Sequence, residues 1–252
     1  MAFGAAQTLH TLFQDKTSGS SQTSNPITTT CAAGRIVYVS IAKDNVAAVD
    51  GETSEVTNVT DSVGNTYQKA KEFCNSQGSA NAGATVALWW SNTKTALVDA
   101  VDTVTVTYSS AITAKGFVVT SQSIGAGNGA EVEASTTLAN DGADPGSMDL
   151  TVANISHSWI RVLAHERPSS DTFTITAAYT GATTHKTGTT GGGVASNMTV
   201  QQEYDVFTGT SNPSDPAWNN AADEASILVA FKEVTLPTSS TMGGWIGKGG
   251  WF

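Results

Sequence analysis

The chain repeats itself, and that repetition limits the folds open to it. Tyr108-Ser109-Ser110-Ala111, followed by Phe117-Val118-Val119, returns 110 residues later (108 to 218) as Trp218-Asn219-Asn220-Ala221, followed by Ile227-Leu228-Val229. Nearer the start, Thr85-Val86-Ala87-Leu88-Trp89-Trp90 matches Thr199-Val200-Gln201-Gln202-Glu203-Tyr204, and Val39-Ser40-Ile41-Ala42-Lys43-Asp44 matches Arg161-Val162-Leu163-Ala164-His165-Glu166. The offset falls from 122 (39 to 161) through 114 (85 to 199) to 110, the drift that loops of unequal length produce. Matching order with a drifting offset points to two copies of one unit of roughly 110 residues, a domain-sized length far above the period of a solenoid. Such a chain is not expected to be an enzyme with one unique site, because neither copy carries a catalytic set that the other lacks.

Both copies read as all-β. Charged residues make up 13% of the chain, well under the usual quarter. Thr, Ser, Ala, Gly and Asn take their place, and the strong helix formers Leu, Lys and Glu are scarce. Apolar and polar residues alternate in Val104-Thr105-Val106-Thr107-Tyr108, Met148-Asp149-Leu150-Thr151-Val152 and Phe173-Thr174-Ile175-Thr176-Ala177, the period of a half-buried strand. The expected fold is two similar antiparallel β-sandwich, jelly-roll-like repeats with extended N- and C-terminal arms. Strands are expected near 26–31, 35–43, 65–73, 83–91, 102–108 and 115–124 in the first copy. In the second they are expected near 130–138, 147–153, 158–166, 172–180, 196–207 and 225–234. The boundaries are an N-terminal arm and linker at 1–25, one repeat at 26–125, a second at 126–236, and a Gly/Trp-rich arm at 237–252. The pattern leaves open whether the copies form two sandwiches or one shared core.

A net charge of −10 and a pI near 4.6 argue against nucleic acid as a partner, since phosphate binding needs clustered Lys or Arg. No apolar run is long enough to span a bilayer as a helix, and the start lacks the basic and apolar regions of a secretory signal. Cys31 and Cys74 are expected as buried free thiols, the usual state for a protein made in a reducing cytoplasm.

Tests for chemistry return little. The histidines His10, His157, His165 and His185 lack the paired spacing of a zinc site, although His165-Glu166 with His185 allows a metal pair to be drawn. Asp141, Asp144 and Asp149 crowd one loop without the spacing of a 12-residue calcium loop. No Gly-x-Ser-x-Gly elbow or phosphate loop is present. No cofactor, metal or catalytic residue is therefore assigned.

The contact candidates are apolar. Trp89 and Trp90 are consecutive on one strand, so their rings point to opposite faces. Tyr204 matches Trp90, which makes Trp89 the outward ring and the candidate for an intermolecular contact. Phe3, Leu9 and Phe13 at the start, and Trp245, Ile246, Trp251 and Phe252 at the end, are apolar residues on arms that call for a partner.

Gly34-Arg35-Ile36-Val37-Tyr38-Val39-Ser40-Ile41-Ala42-Lys43-Asp44, the turn Thr60-Asp61-Ser62-Val63-Gly64-Asn65-Thr66-Tyr67, a strand ending in aromatics and a closing Val-Thr-Val-Thr strand resemble β-sandwich modules of tailed-bacteriophage virion proteins. The second copy looks like the same module, through the strand Asn197 to Phe207, Trp218 and Ile227-Leu228-Val229-Ala230-Phe231-Lys232. The resemblance implies a non-enzymatic capsid decoration or cement protein on the outer virion surface, assembled in the host cytoplasm. Its partners would be the major capsid protein or another virion protein, and further copies of itself. A phage fibre or host-surface carbohydrate-binding module, with a host glycan as ligand, is the alternative. A hydrolase using Asp44, Glu166 or His165 is the third reading.

Overall fold

The computed structural model describes residues 3–10, 17–46, 48–78, 83–142, 144–166, 172–186 and 197–236, with the side chains of 181–186 left aside. The fold is all-β. The first half carries β1 (Ala6–His10), β2 (Gly19–Thr23), β3 (Ile36–Asp44), β4 (Val56–Asp61), β5 (Gln68–Asn75), β6 (Ala84–Asn92), β7 (Val104–Ile112) and β8 (Lys115–Gln122). The second carries β9 (Asn128–Asn140), β10 (Ile155–His165), β11 (Phe173–Thr174), β12 (Thr180–Lys186), β13 (Thr199–Gly209), β14 (Ala217–Trp218) and β15 (Glu224–Thr235).

Two five-stranded antiparallel sheets form the centre, ordered β1-β8-β3-β6-β5 and β12-β13-β10-β15-β9. Reading the second from its other edge gives β9-β15-β10-β13-β12, the same order with β3 replaced by β10, β6 by β13 and β8 by β15. Those are the segments that the sequence match pairs. Register supports two of the matches: Val39 lies opposite Trp89 as Arg161 lies opposite Glu203. The third is out by one residue. Val119 lies beside Val39 and Leu228 beside Arg161, so the equivalent offset there is 109 (119 to 228). The offset of 110 sets Phe117, on the outer face of its sheet, against Ile227, on the inner face, as a one-residue slip must.

The two sheets pack face to face on one shared core. Ile36, Tyr38, Val86, Leu88, Trp90 and Val118 meet Ile160, Val162, Val200, Ile227, Val229 and Phe231. The Phe231 ring sits 5.1 Å from Tyr38 and 5.6 Å, edge-on, from Trp90. Polar links cross the same core: Tyr38 and Ser158 both donate to Gln122 Oε1 (3.1 and 2.5 Å), and Ser40 donates to Gln202 Oε1 at 2.9 Å. The outer face of the first sheet is covered by a three-stranded sheet, β2-β7-β4, over Val37, Val39, Ile41, Trp89, Phe117 and Val119. The outer face of the second is covered by the β11-β14 ribbon, Tyr179 and Met148-Asp149-Leu150-Thr151-Val152.

Several expectations change. Clean alternation of burial appears in β7, on the outer sheet, whereas β3, β6, β8 and β10 are buried along nearly their whole length because both their faces are covered. Residues 26–31 and 147–153 yield only the bridges Cys31–Leu97 and Met148–Ser214, and β4 was not expected. Residues 1–25, read as an arm and linker, place β1 and β2 in the sheets; Phe3 and Leu9 are buried in the chain's own cores. The expected C-terminal arm lies outside the described residues. Cys31 and Cys74 are buried free thiols.

Because the core is shared, the halves should unfold together. Phe231→Ala is expected to cost about 3–5 kcal/mol and to leave one urea transition with coincident tryptophan fluorescence and far-ultraviolet dichroism. Two separable transitions would mean that the halves are independent.

Candidate functional site

Chemistry-bearing side chains gather at three places along β10. The first is its C-terminal end. Successive strand residues point to opposite faces, so His165 turns outward while Glu166 turns toward the first sheet. There Glu166 Oε2 accepts the Gly83 N–H at 3.0 Å, and its backbone N–H donates to Asp223 O at 3.0 Å. Glu166 is 4% exposed, and its Oε1 has no hydrogen-bond partner. Burial, with Asp44 and Asp223 nearby, pushes its carboxyl up to about 7. Burial likewise raises Asp44 to about 6, and Asp44 Oδ1 is also buried without a partner. Two neighbouring carboxyls with raised pKa values are the kind of pairing that general acid–base catalysis uses. Here, however, the carboxyl is sealed against the Gly83 backbone.

The second place is the outer face of the second sheet. Arg161 is fully buried. Its guanidinium donates to Gly146 O (3.0 Å), Ser214 O (2.9 Å), Ser214 Oγ (3.2 Å), Pro145 O (3.3 Å) and Ser226 Oγ (3.3 Å). Desolvation lowers the Arg161 pKa, opposed by the nearby Glu224 and Glu203. Glu203 accepts Thr176 N and Oγ1, both at 2.9 Å, and the Ser214 hydroxyl. Glu224, pushed to about 7 chiefly by burial, accepts Trp218 Nε1 and Ser226 Oγ, each at 2.6 Å. The Trp218 ring stacks on His165 at 4.1 Å and 8°. The arrangement is a structural lattice that clamps the covering loops.

The third place is the opposite end of β10, roughly 34 Å away along the strand. An open cavity of about 480 Å3 is lined by Asn128, Ile155, Ser156, Glu233 and Thr235. Beside it, Ile155 is 43% and Phe207 39% exposed. Ile155 lies opposite Gly209, and the Phe207 ring covers Gly209 so closely that a Cβ there would fall 2.3 Å from the ring. Glycine at 209 thus leaves room for the Phe207 ring.

The structure places the expected residues as follows. Trp89 is not an outward ring: it is 7% exposed, packed under the three-stranded sheet with Lys69 Nζ 5.6 Å from its ring centroid. The third sheet, unforeseen in the sequence, covers that face. Trp90 and Tyr204 do both face the shared core. Phe13, Trp245, Ile246, Trp251 and Phe252 lie outside the described residues. Asp44 and Glu166 are brought together, but His165 and Glu166 point apart. In the aspartate-rich loop, Asp144 Oδ1 accepts Gly146 N at 2.9 Å and Asp149 Oδ1 accepts Asn212 N at 3.1 Å. Among the described residues no three His, Cys, Asp or Glu side chains are set to hold a metal ion. Sequence reasoning missed Phe207, Ile155 and Gly209; the apolar residues near one strand end, beside a glycine, were the available signal.

No family model, curated protein or solved structure matches the chain.

Burial makes a clear forecast for Trp89. Trp89→Ala should lower the unfolding free energy by about 3–5 kcal/mol and leave the oligomeric state by light scattering unchanged. A change in assembly without loss of stability would return Trp89 to an intermolecular role.

Proposed function

We propose that the protein is a non-enzymatic virion structural protein, a capsid decoration or cement protein that binds the outer capsid or neighbouring subunits. The observation that carries this reading is at the third place. The exposed Ile155–Phe207 pair adjoins a cavity rim that includes Thr235, and the chain beyond Leu236 is rich in glycine and holds Trp245, Ile246, Trp251 and Phe252. A layered body with sealed polar clusters, an apolar edge and an adjoining apolar terminal segment has the parts needed to attach to a larger surface. The resemblance of the 34–44 and 60–67 motifs to phage virion modules supports a tailed-phage particle as the surface bound. The test is co-sedimentation with empty tailed-phage capsids, comparing the full chain with one ending at Ser240. The full chain should bind and the shortened chain should lose at least tenfold in affinity. A full chain that is monomeric and ignores capsids would sink the proposal.

A carbohydrate-binding role is the second reading, favoured by the same cavity. Asn128, Ser156, Glu233 and Thr235 supply hydrogen-bonding groups beside the apolar Ile155, the mixture that small hydroxylated ligands require. On a glycan array, Glu233→Ala should then remove whatever binding the wild type shows. Wild-type protein that binds no glycan would end this reading.

A further inference from the structure

We propose that the free edge of β9 is the surface through which two copies of this chain join, β9 pairing antiparallel with its own counterpart so that the second sheet runs on across the dimer. The inference does not rest on the decoration reading: it concerns how copies meet each other, whether or not they meet a capsid.

Among the described residues β9 differs from every other sheet edge. Proteins keep edges from pairing by making them short, bulged, charged or covered. β1 and β2 have five residues each, and the ladder of β1 is irregular near its end. β4 has six and opens on a bulge, and the strands of the β11-β14 ribbon have two. β5 carries Lys69 and Lys71 around a bulge, and the Gly51–Cys74 bridge covers its far side. β12 has seven residues with a bulge between Gly181 and Thr183. β9 has 13. Beyond its own bulge, which leaves Glu133 out of the ladder, the run Ala134-Ser135-Thr136-Thr137-Leu138-Ala139-Asn140 pairs regularly with β15 and holds no charge. Every residue from Val132 to Leu138 is half-buried, although Val132 packs on the shared core and Ala134 and Leu138 pack under the outer cover. With both faces packed, that even exposure comes from the edge.

The ladder fixes which backbone groups point outward. Glu166 N–H donates to Asp223 O, and Leu236 N–H to Gly127 O, so by the alternation of an antiparallel pair the odd-numbered residues of β15 bond to β10 and the even-numbered ones to β9. Thr136 therefore exchanges bonds with Leu228, while the N–H and C=O groups of Ser135, Thr137 and Ala139 point away from β15. Ala130 faces the same way, and its N–H and C=O are held by the Asn92 side chain at 2.8 and 3.1 Å. Asn92 thus closes the edge at one end. At the other, the Asn75 side chain donates to Asn140 O (3.2 Å) and Glu224 O (2.8 Å). The outward backbone between them is a template for an added strand.

A two-fold axis at Thr137 uses the whole uncharged run. Thr137 then faces Thr137 of the second copy, Ser135 faces Ala139 and Thr136 faces Leu138, neighbours that carry no charge and suit direct pairing. The next position sets Glu133 against Asp141 of the second copy, a like-charge contact that ends the ladder.

The test uses the full chain in light scattering and analytical ultracentrifugation. The wild type should be a dimer. Thr137→Pro removes an outward N–H and none of the β9–β15 bonds, so it should keep the wild-type dichroism and weaken dimerisation at least tenfold. If Thr137→Pro does not fold, Thr137→Lys serves, because it sets two ammonium groups opposite each other. Cysteines read the register. Thr137→Cys brings the two Cα atoms to about 5.5 Å, within the span of a disulfide, and should give a covalent dimer on oxidation. Ala139→Cys, whose twin lies roughly 14 Å away along the ladder, should not, nor should the wild type, whose Cys31 and Cys74 are buried. A monomeric wild type, a dimer that the proline and lysine variants both leave intact, or equal cross-linking of the two cysteine variants would overturn the proposal. So would loss of the dimer in a chain ending at Ser240, which would give the contact to the C-terminal segment instead of β9.

Discussion

The architecture depends on one apolar contact, the face that the two five-stranded sheets share. Neither half could hide that face alone. Ile160, Val162, Ile227, Val229 and Phe231 need Tyr38, Val86, Leu88 and Trp90 opposite them as much as the reverse. The contact also explains why the strands through the middle are apolar on both sides: each has a core in front and a cover behind. Within that face, Gln122 and Gln202 are fully buried and reach across to Ser158 and Ser40. Apolar surfaces slide at little cost, whereas displaced buried amides would lose their partners, so these bonds fix one alignment of the sheets.

The outer faces of the two sheets then diverge at equivalent positions. Val39 and Trp89, side by side on the first sheet, correspond to Arg161 and Glu203 on the second. An apolar face suits a regular covering sheet, and β2-β7-β4 provides one. A buried guanidinium calls for several acceptor oxygens around it. Gly146, Pro145 and Ser214 supply them, from segments that run irregularly over the face. Beside them Met148 to Val152, whose alternation reads as a strand, forms one bridge, Met148–Ser214. Its apolar residues do point inward, as alternation demands, while its backbone bonds go to Ser214 and Thr210 and the Asp149 carboxylate accepts Asn212 N.

The legible part of the fold was what short-range pattern controls. The turn at Asp61 to Asn65 closes through Asp61 Oδ1, which accepts Asn65 N at 2.9 Å and Val63 N at 3.2 Å, as its residue types suggest. Matches between the copies located the three middle strands of each sheet, and the pairing of Trp90 with Tyr204 identified a common inward face. What the pattern could not carry was the layer count. Trp89 looks outward in a two-layer sandwich and is buried in a stack with a further sheet. Likewise Phe3 and Leu9 look like arm residues until β1 is seen to extend the first sheet. The slip of one residue between β8 and β15 has the same origin: in strands buried on both faces, inward and outward residues are alike in composition, so only cross-strand register separates them.

The two ends of β10 finish the seam with opposite chemistry. At the Glu166 end, carboxyl groups from both halves meet the Gly83 and Asn75 bridges; at the Ile155 end, the sheet opens into a cavity beside exposed apolar side chains. One strand joins them, buried through most of its length against the shared core. The strand thus ends in an open, partly apolar cavity on one side of the molecule and in a closed, hydrogen-bonded polar cluster on the other.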